Sequence, residues 1–263
     1  MNRRMPADLR LQLKSELAAL QELEETEGVA RDYLRFCGKV VHFHAHSRAA
    51  IRVVQSAAPG GGEARTANAR AANARAANAR AANARAPDES TRRLSRDVIT
   101  FDSALLLRFL GELKALSRES ASDDGDLVRL AAASVTDPTV LTTLAESVAE
   151  EGAIDRLAQL AARTGVSVAA LVVVGRMLAS PFLHEARHRR GARPELDTRE
   201  LEPEQAVRCP SCGAAPSMAS LDPSDGCRHL SCSLCGESWI APRVLCPFCG
   251  SRLGLGTLRS TAH

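Results

Sequence analysis

CPSCGAAPSMASLDPSDGCRHLSCSLCGESWIAPRVLCPFCG, residues 209–250, holds seven of the eight cysteines of this 263-residue chain. Six of them form three C-x-x-C pairs, each followed by Gly: Cys209 with Cys212, Cys232 with Cys235, and Cys246 with Cys249. Two thiolates at that spacing in a tight turn converge on one ion. Backbone amides of the turn hydrogen-bond the sulfurs, and the Gly tolerates the positive φ that follows. Two such knuckles complete a tetrahedral S4 site for zinc or a rubredoxin-type iron. The spacing therefore predicts a small rubredoxin-like or zinc-ribbon-like β module with Cys209, Cys212, Cys232 and Cys235 as metal ligands. A thioredoxin-like redox pair is disfavoured, because none of the three motifs lies between a strand and a long helix.

Nineteen residues separate Cys212 from Cys232, enough for a hairpin and return, whereas ten separate Cys235 from Cys246. Sequential pairing follows, and it leaves Cys246 and Cys249 as half of a second metal site. No fourth pair occurs in the fourteen residues from Cys249 to His263. Cys227 and His229 are poor substitutes, being spaced C-x-H directly before the second knuckle. A metal shared across a homodimer, or no second metal, is the stronger expectation.

Upstream, residues 191–206 are charged and carry two prolines with no apolar period, which reads as a linker into a cysteine module at 207–263. Residues 1–190 read as a helical bundle, so the fold class is mainly α with a small β module at its end. Leu9, Leu13, Leu17 and Leu20 make one stripe, Gly28 breaks it, and the helical period resumes through Tyr33, Leu34, Cys37, Val40, Val41 and His44. Cys37 is expected as a core thiol. Phe101, Leu105, Leu106, Phe109, Leu110, Leu113 and Leu116 define another helix. Asp126 is expected to cap a helix over Leu127–Ala133, and Asp137-Pro138 to open one reaching about Glu151. A final pair, Ile154–Ala162 and Val166–Leu178, is joined at Gly165.

That pair has the spacing of a helix-turn-helix. A recognition helix must offer polar or basic side chains to base edges, yet this one offers Val168, Ala169, Ala170, Leu171, Val172, Val173 and Val174. Burial in the bundle is the stronger reading; a DNA-binding regulator with a zinc ribbon is the rival. Residues 59–90 are a low-complexity insertion in which ANAR recurs at 67–70, 72–75, 77–80 and 82–85. Five residues advance about 500° round a helix, so its Arg side chains spiral instead of lining a groove.

Without the five Arg at 65, 70, 75, 80 and 85, the formal charge of +3 falls to −2, which gives no basic footprint for nucleic acid. One Trp, one Tyr and six Phe leave little for a base-stacking platform. No run of about eighteen apolar residues predicts a membrane span, and the charged start has no apolar signal segment, so the expected location is the cytoplasm. In that compartment clustered cysteines favour metal over disulfides. His42, His44 and His46, without a following Glu, read as solvated or core histidines; His184 and His188 read as partners of a helix C-terminus. No Ser/His/Asp order, paired carboxylates or phosphate loop points to an enzyme.

The cysteine region resembles the formate dehydrogenase accessory (FdhE) proteins. Cys209, Cys212, Pro216, Gly226, Arg228, Leu230, Cys232, Cys235, Trp239, Arg243, Cys246 and Cys249 fall on the family's pattern, as does RDYLRFCGKVV in the helical region. The resemblance implies a cytoplasmic accessory protein with rubredoxin-like modules that bind iron. It also implies contact with the catalytic subunit of a respiratory formate dehydrogenase before export, for maturation or a redox check. The family's fourth C-x-x-C and the segment carrying it are not in these 263 residues, and the pentapeptide repeat is additional.

Overall fold

A leucine stripe and a helical period of 3.6 place the first two helices, and a computed structural model shows how they pack. It describes residues 5–26, 31–57, 99–119, 135–149, 153–190 and 196–251. Gly28, the helix expected at Leu127–Ala133 and the 59–90 insertion lie outside the described residues. Helix α1 (Ala7–Thr26) lays Leu13, Leu17 and Leu20 against α2 (Arg31–Ala57), where Gly38 leaves room for Leu17 at 3.7 Å from an added Cβ. Helix α3 (Ser103–Glu119) buries Leu105, Leu106, Phe109, Leu110 and Leu113, and the Asp102 carboxylate accepts the Leu105 amide at 2.9 Å to cap it. Helix α4 (Pro138–Ala149) opens at Asp137-Pro138, with the Asp137 carboxylate accepting the Thr139 amide at 2.8 Å. Cys37 is half-buried instead of enclosed, since the buried face of α2 falls on Leu34, Phe43, Ser47, Arg48 and Ile51.

Helix α5 (Ile154–Thr164) ends at Gly165, whose φ of 68° is the left-handed cap, and Ser167 caps α6 (Val168–Arg189) by accepting the Ala170 amide. Helix α6 is the central post of the bundle and packs against α2, α3, α4 and α5. Ala170, Leu171, Val174, Leu178, Ala179, Phe182 and Leu183 are buried, so the second member of the helix-turn-helix-like pair is core and not a groove reader. It runs about three turns past the predicted end at Leu178, through Pro181, because burial on several faces offsets the lost amide donor. By length and composition alone α6 could cross a bilayer, with mean hydropathy 1.4 over eighteen residues, but 61% of that window is buried inside this fold.

The β module is a four-stranded sheet in the order β1-β4-β3-β2. Its strands are β1 (Leu196–Asp197), β2 (Met218–Leu221), β3 (Arg228–Ser231) and β4 (Ser238–Ala241). β4 pairs parallel with β1 and antiparallel with β3, and β3 pairs antiparallel with β2. The register sets Leu230 opposite Trp239, both buried, on the sheet face that joins the core of the helices. Residues 196–206, expected as linker, are built into this sheet. Leu196 pairs with Trp239, and the short helix α7 (Pro203–Ala206) ends where the Ala206 carbonyl accepts the Trp239 indole N–H at 3.0 Å. Leu196 and Leu201, each apolar between charges and packed inward, and the Pro203 start of α7 explain why this stretch is ordered. A mainly helical body thus carries a small cysteine-rich sheet of zinc-ribbon type.

Candidate metal centre

The first knuckle precedes β2 and the second joins β3 to β4, so the strand order brings both to one end of the sheet. They share one backbone plan. In the first, the Cys209 amide donates to the Ala214 carbonyl at 2.9 Å, the Gly213 amide donates to the Cys209 carbonyl at 2.8 Å, and Gly213 has φ 77°. In the second, the Cys232 amide donates to the Glu237 carbonyl at 2.9 Å, the Gly236 amide to the Cys232 carbonyl at 2.9 Å, and Gly236 has φ 72°.

The two turns bring four thiols together. Cys209 Sγ lies 3.5 Å from Cys235 Sγ and Cys212 Sγ 3.6 Å from Cys232 Sγ, and all four sulfurs lie within 4.8 Å of one another. These separations are well beyond an S–S bond and close to the ~3.8 Å edge of a tetrahedron whose metal–sulfur distance is about 2.3 Å. The sequential pairing expected from the loop lengths is the arrangement found. Cys209, Cys232 and Cys235 are buried and Cys212 is half-buried, so Cys212 forms the solvent edge. Hydrogen bonds from Cys209, Cys212 and Cys235 hold the Cys232 thiol far below its ordinary range. Cys209 and Cys235 are pushed up by the neighbouring thiols and by burial, because successive ionisations beside a thiolate become harder. A divalent cation relieves that repulsion, and the donor set suits zinc or iron.

A stripe on α6 embraces the second knuckle. Arg176, Ser180, His184 and Arg187 fall at i, i+4, i+8 and i+11. Arg176 Nη2 donates to Ser233 Oγ at 2.9 Å and Ser180 Oγ donates to the Ser233 carbonyl at 3.3 Å. With its proton so used, Ser180 Oγ accepts from His44 Nε2 at 2.9 Å, which places the His44 proton on that nitrogen. The His184 ring covers Gly236 so closely that an added Cβ would stand 2.4 Å from Cε1, and it meets His44 edge-on at 4.6 Å between centroids. Arg187 Nη2 donates to Glu237 Oε1 at 3.1 Å, while Ser211 of the first knuckle donates to Glu237 Oε2. Glu237 is thereby the link between helix and both knuckles, and its charge raises the Arg187 pKa against the effect of burial. Burial, with Arg48 adding, lowers His44 to about 4, and burial likewise lowers His184.

The sequence reading took His184 for a helix-terminus partner; the structure seats it on the metal module instead. The signal was available as a polar stripe at helical spacing in an otherwise apolar helix. His42 and His46 are exposed and stack on each other at 6.3 Å, away from the thiols.

Cys246 and Cys249 lie at the other end of the sheet, where Arg228 Nη1 donates to the Leu245 carbonyl at 2.7 Å. They form a third knuckle of the same plan: the Cys246 amide donates to the Ser251 carbonyl at 2.9 Å, the Gly250 amide to the Cys246 carbonyl at 3.0 Å, and Gly250 has φ 71°. Among the described residues no third Cys, His, Asp or Glu joins them in a cluster, and Cys227 and His229 do not. Cys227 instead accepts from Arg199 Nη1 at 3.7 Å. The hairpin turn 222–226, DPSDG, also has the knuckle plan. The Asp222 amide donates to the Cys227 carbonyl at 2.9 Å and the Gly226 amide to the Asp222 carbonyl at 2.8 Å, with aspartates where a knuckle has cysteines. Sequence reasoning missed that parallel, although D-P-x-D-G matches C-P-x-C-G position by position.

Residues 208–243, which span both knuckles of the four-thiol site, match the family model of the FdhE central domain. This segment is similar to the FdhE central domain. A Protein FdhE homolog from Rhizobium meliloti (strain 1021) is 38% identical to this chain over 64 residues, covering 23% of this chain and 21% of the relative. The aligned part is thus about a fifth of that curated relative, and no solved structure matches the chain. The FdhE segment contains the four converging thiols, Trp239 and Glu237, and ends just before the third knuckle.

Proposed function

We propose that this chain is an accessory protein for the maturation of a formate dehydrogenase, acting in the cytoplasm. The helical body and the cysteine module together dock the catalytic subunit, and Cys209, Cys212, Cys232 and Cys235 hold one iron of rubredoxin type. The observation that carries the reading is the coincidence of the FdhE central-domain match with the two knuckles whose thiols converge. When bound, iron in a four-thiolate site supplies a one-electron couple without an open coordination position, which suits a structural or redox-check role and not turnover of formate. The chain's own residues orient the site: Glu237 joins the knuckles to Arg187, and the α6 stripe holds the second knuckle against the bundle.

The test is co-purification with the catalytic subunit of a formate dehydrogenase from the same cells. Retention of that subunit by the wild-type chain, and its loss with Cys209→Ser or Cys232→Ser, is the expected result; no retention by the wild type would overturn the accessory role. Elemental analysis and a visible spectrum address the metal separately. About one iron per chain with thiolate-to-iron absorption supports the redox check, and about one colourless zinc removes it.

A further inference from the structure

We propose that His42 and His46 form a metal site on the outer face of α2, separate from the cysteine module, that takes an imidazole-favouring divalent cation such as nickel(II), copper(II) or zinc(II). The two histidines stand four residues apart in the middle of a 27-residue helix. Side chains at that spacing lie one above the other, about 5–6 Å apart at Cβ. Both are exposed, and their rings lie over each other with centroids 6.3 Å apart and planes 20° from parallel. Two imidazole nitrogens on adjacent positions of one ion, each about 2.1 Å from it, stand about 3 Å apart. The soft terminal torsion of each ring closes that span without moving the backbone.

The rest of α2 fixes where the pair points. Phe43 and Ser47 are buried, and His44, between the two histidines, is held to Ser180 Oγ at 2.9 Å, so the helix cannot turn His42 and His46 inward. Phe43 stands where a catalytic H-E-x-x-H zinc site has its Glu, which makes this a binding site and not a hydrolytic one. Two neutral nitrogen donors without a carboxylate select borderline cations over magnesium or calcium. They leave the other coordination positions to water, the form of a site that takes up and releases its ion and not of a closed structural one. The donors come from α2 alone, and the four converging thiols take no part.

The experiment titrates nickel(II) into the full chain, already loaded with zinc at its four thiols, and follows the ring signals of isotope-labelled histidine, which paramagnetic nickel broadens where it binds. Nickel is the probe because thiols reduce copper(II). Nickel taken up by exposed thiols lowers the free concentration for every ring alike and leaves their order unchanged. The expected result is that His42 and His46 broaden together, and before the exposed His188. In His42→Gln or His46→Gln the remaining ring should need at least about tenfold more nickel, because one donor lacks the effective concentration of a chelate. Before nickel is added, both variants should keep the His44 and His184 signals in place, which shows that the bundle is intact. Broadening of His42 and His46 no earlier than His188 overturns the proposal, and so does a single variant whose remaining ring titrates as in the wild type, since that is the behaviour of isolated surface histidines. None of these outcomes depends on the formate dehydrogenase reading, which rests on co-purification.

Discussion

Gly226 and Gly236 close turns of the same shape, with φ 71° and 72°, and differ in what stands over them. An added Cβ at Gly226 meets only the flexible end of Arg243, at 3.3 Å, whereas at Gly236 it meets the His184 ring at 2.4 Å. Alanine at either position costs about 1–2 kcal/mol for the left-handed backbone. Gly236→Ala should cost more than Gly226→Ala in thermal melting and in zinc affinity by chelator competition, and His184→Ala should remove the excess. Equal losses would show that the ring does not press on the knuckle. His44 gives a second prediction. It stays neutral in the folded protein down to about pH 4, while in the unfolded chain it protonates near 6.5. Between those values the unfolded state binds more protons, so the stability held above pH 6.5 falls toward pH 4, by up to about 3 kcal/mol. His44→Gln, which keeps a donor for Ser180, should remove part of the fall measured by urea unfolding between pH 7 and 5 at equal metal loading, the rest belonging to His184, whose pKa is lowered by burial too. An unchanged pH slope would mean that another group titrates.

At the scale of elements, Glu185 ties three helices through one buried carboxylate. Its side chain is 1% exposed, Arg48 Nε donates to it at 2.7 Å and Arg52 Nε at 2.5 Å, while Arg52 also reaches Asp8 of α1 at 2.7 Å. Glu185→Ala leaves the Arg48 guanidinium, 7% exposed, without its counter-charge, a loss of about 3–5 kcal/mol. Arg48→Ala/Glu185→Ala should cost clearly less than the two single losses added, as read from a double-mutant cycle in urea; strict additivity would mean the two groups act independently. None of this network was legible in the sequence, because Arg48 and Glu185 are 137 residues apart and look like ordinary surface charges. The helices themselves were legible, since the period of Phe101 through Leu116 and the caps at Asp137 and Ser167 are local signals. The continuity of α6 was legible only in part: the apolar period stops at Leu178 and Pro181 argues for a break, whereas the basic run around His184 and His188 marks the helix end that falls at Arg189.

For the whole molecule, the deciding fact is that most of the buried side chains of the cysteine module belong to the core of the helices, with only a small separate cluster of Ala206, Val207 and Leu245. Cys209, Cys232, Cys235, Leu230, Leu234 and Trp239 belong to the same buried cluster as Leu171, Leu178 and Phe182 of the central helix. The C-x-x-C spacing disclosed which four thiols converge and the ribbon-like module, since those depend on residues within a few turns of chain. It could not disclose that the module rests on α6, which depends on matching a polar stripe to a knuckle some fifty residues later. A shared core has a measurable consequence. Without an ion, the four crowded thiols lose the ligation that would tie the two knuckles together and only contacts such as Ser211 to Glu237 remain, so the module should loosen and uncover Trp239 and the α6 face beneath it. Chelation should therefore lower the melting of the helical signal at 222 nm, with added amide exchange along residues 176–187, and zinc should restore both. If the module were instead an independent appendage, chelation would quench or shift the Trp239 fluorescence while the helical melt stayed where it was. Measured on one sample, the fluorescence and the helical melt must move together for the metal to report on the bundle, and it is that coupling that would let a partner docked on the helices sense whether the site is filled.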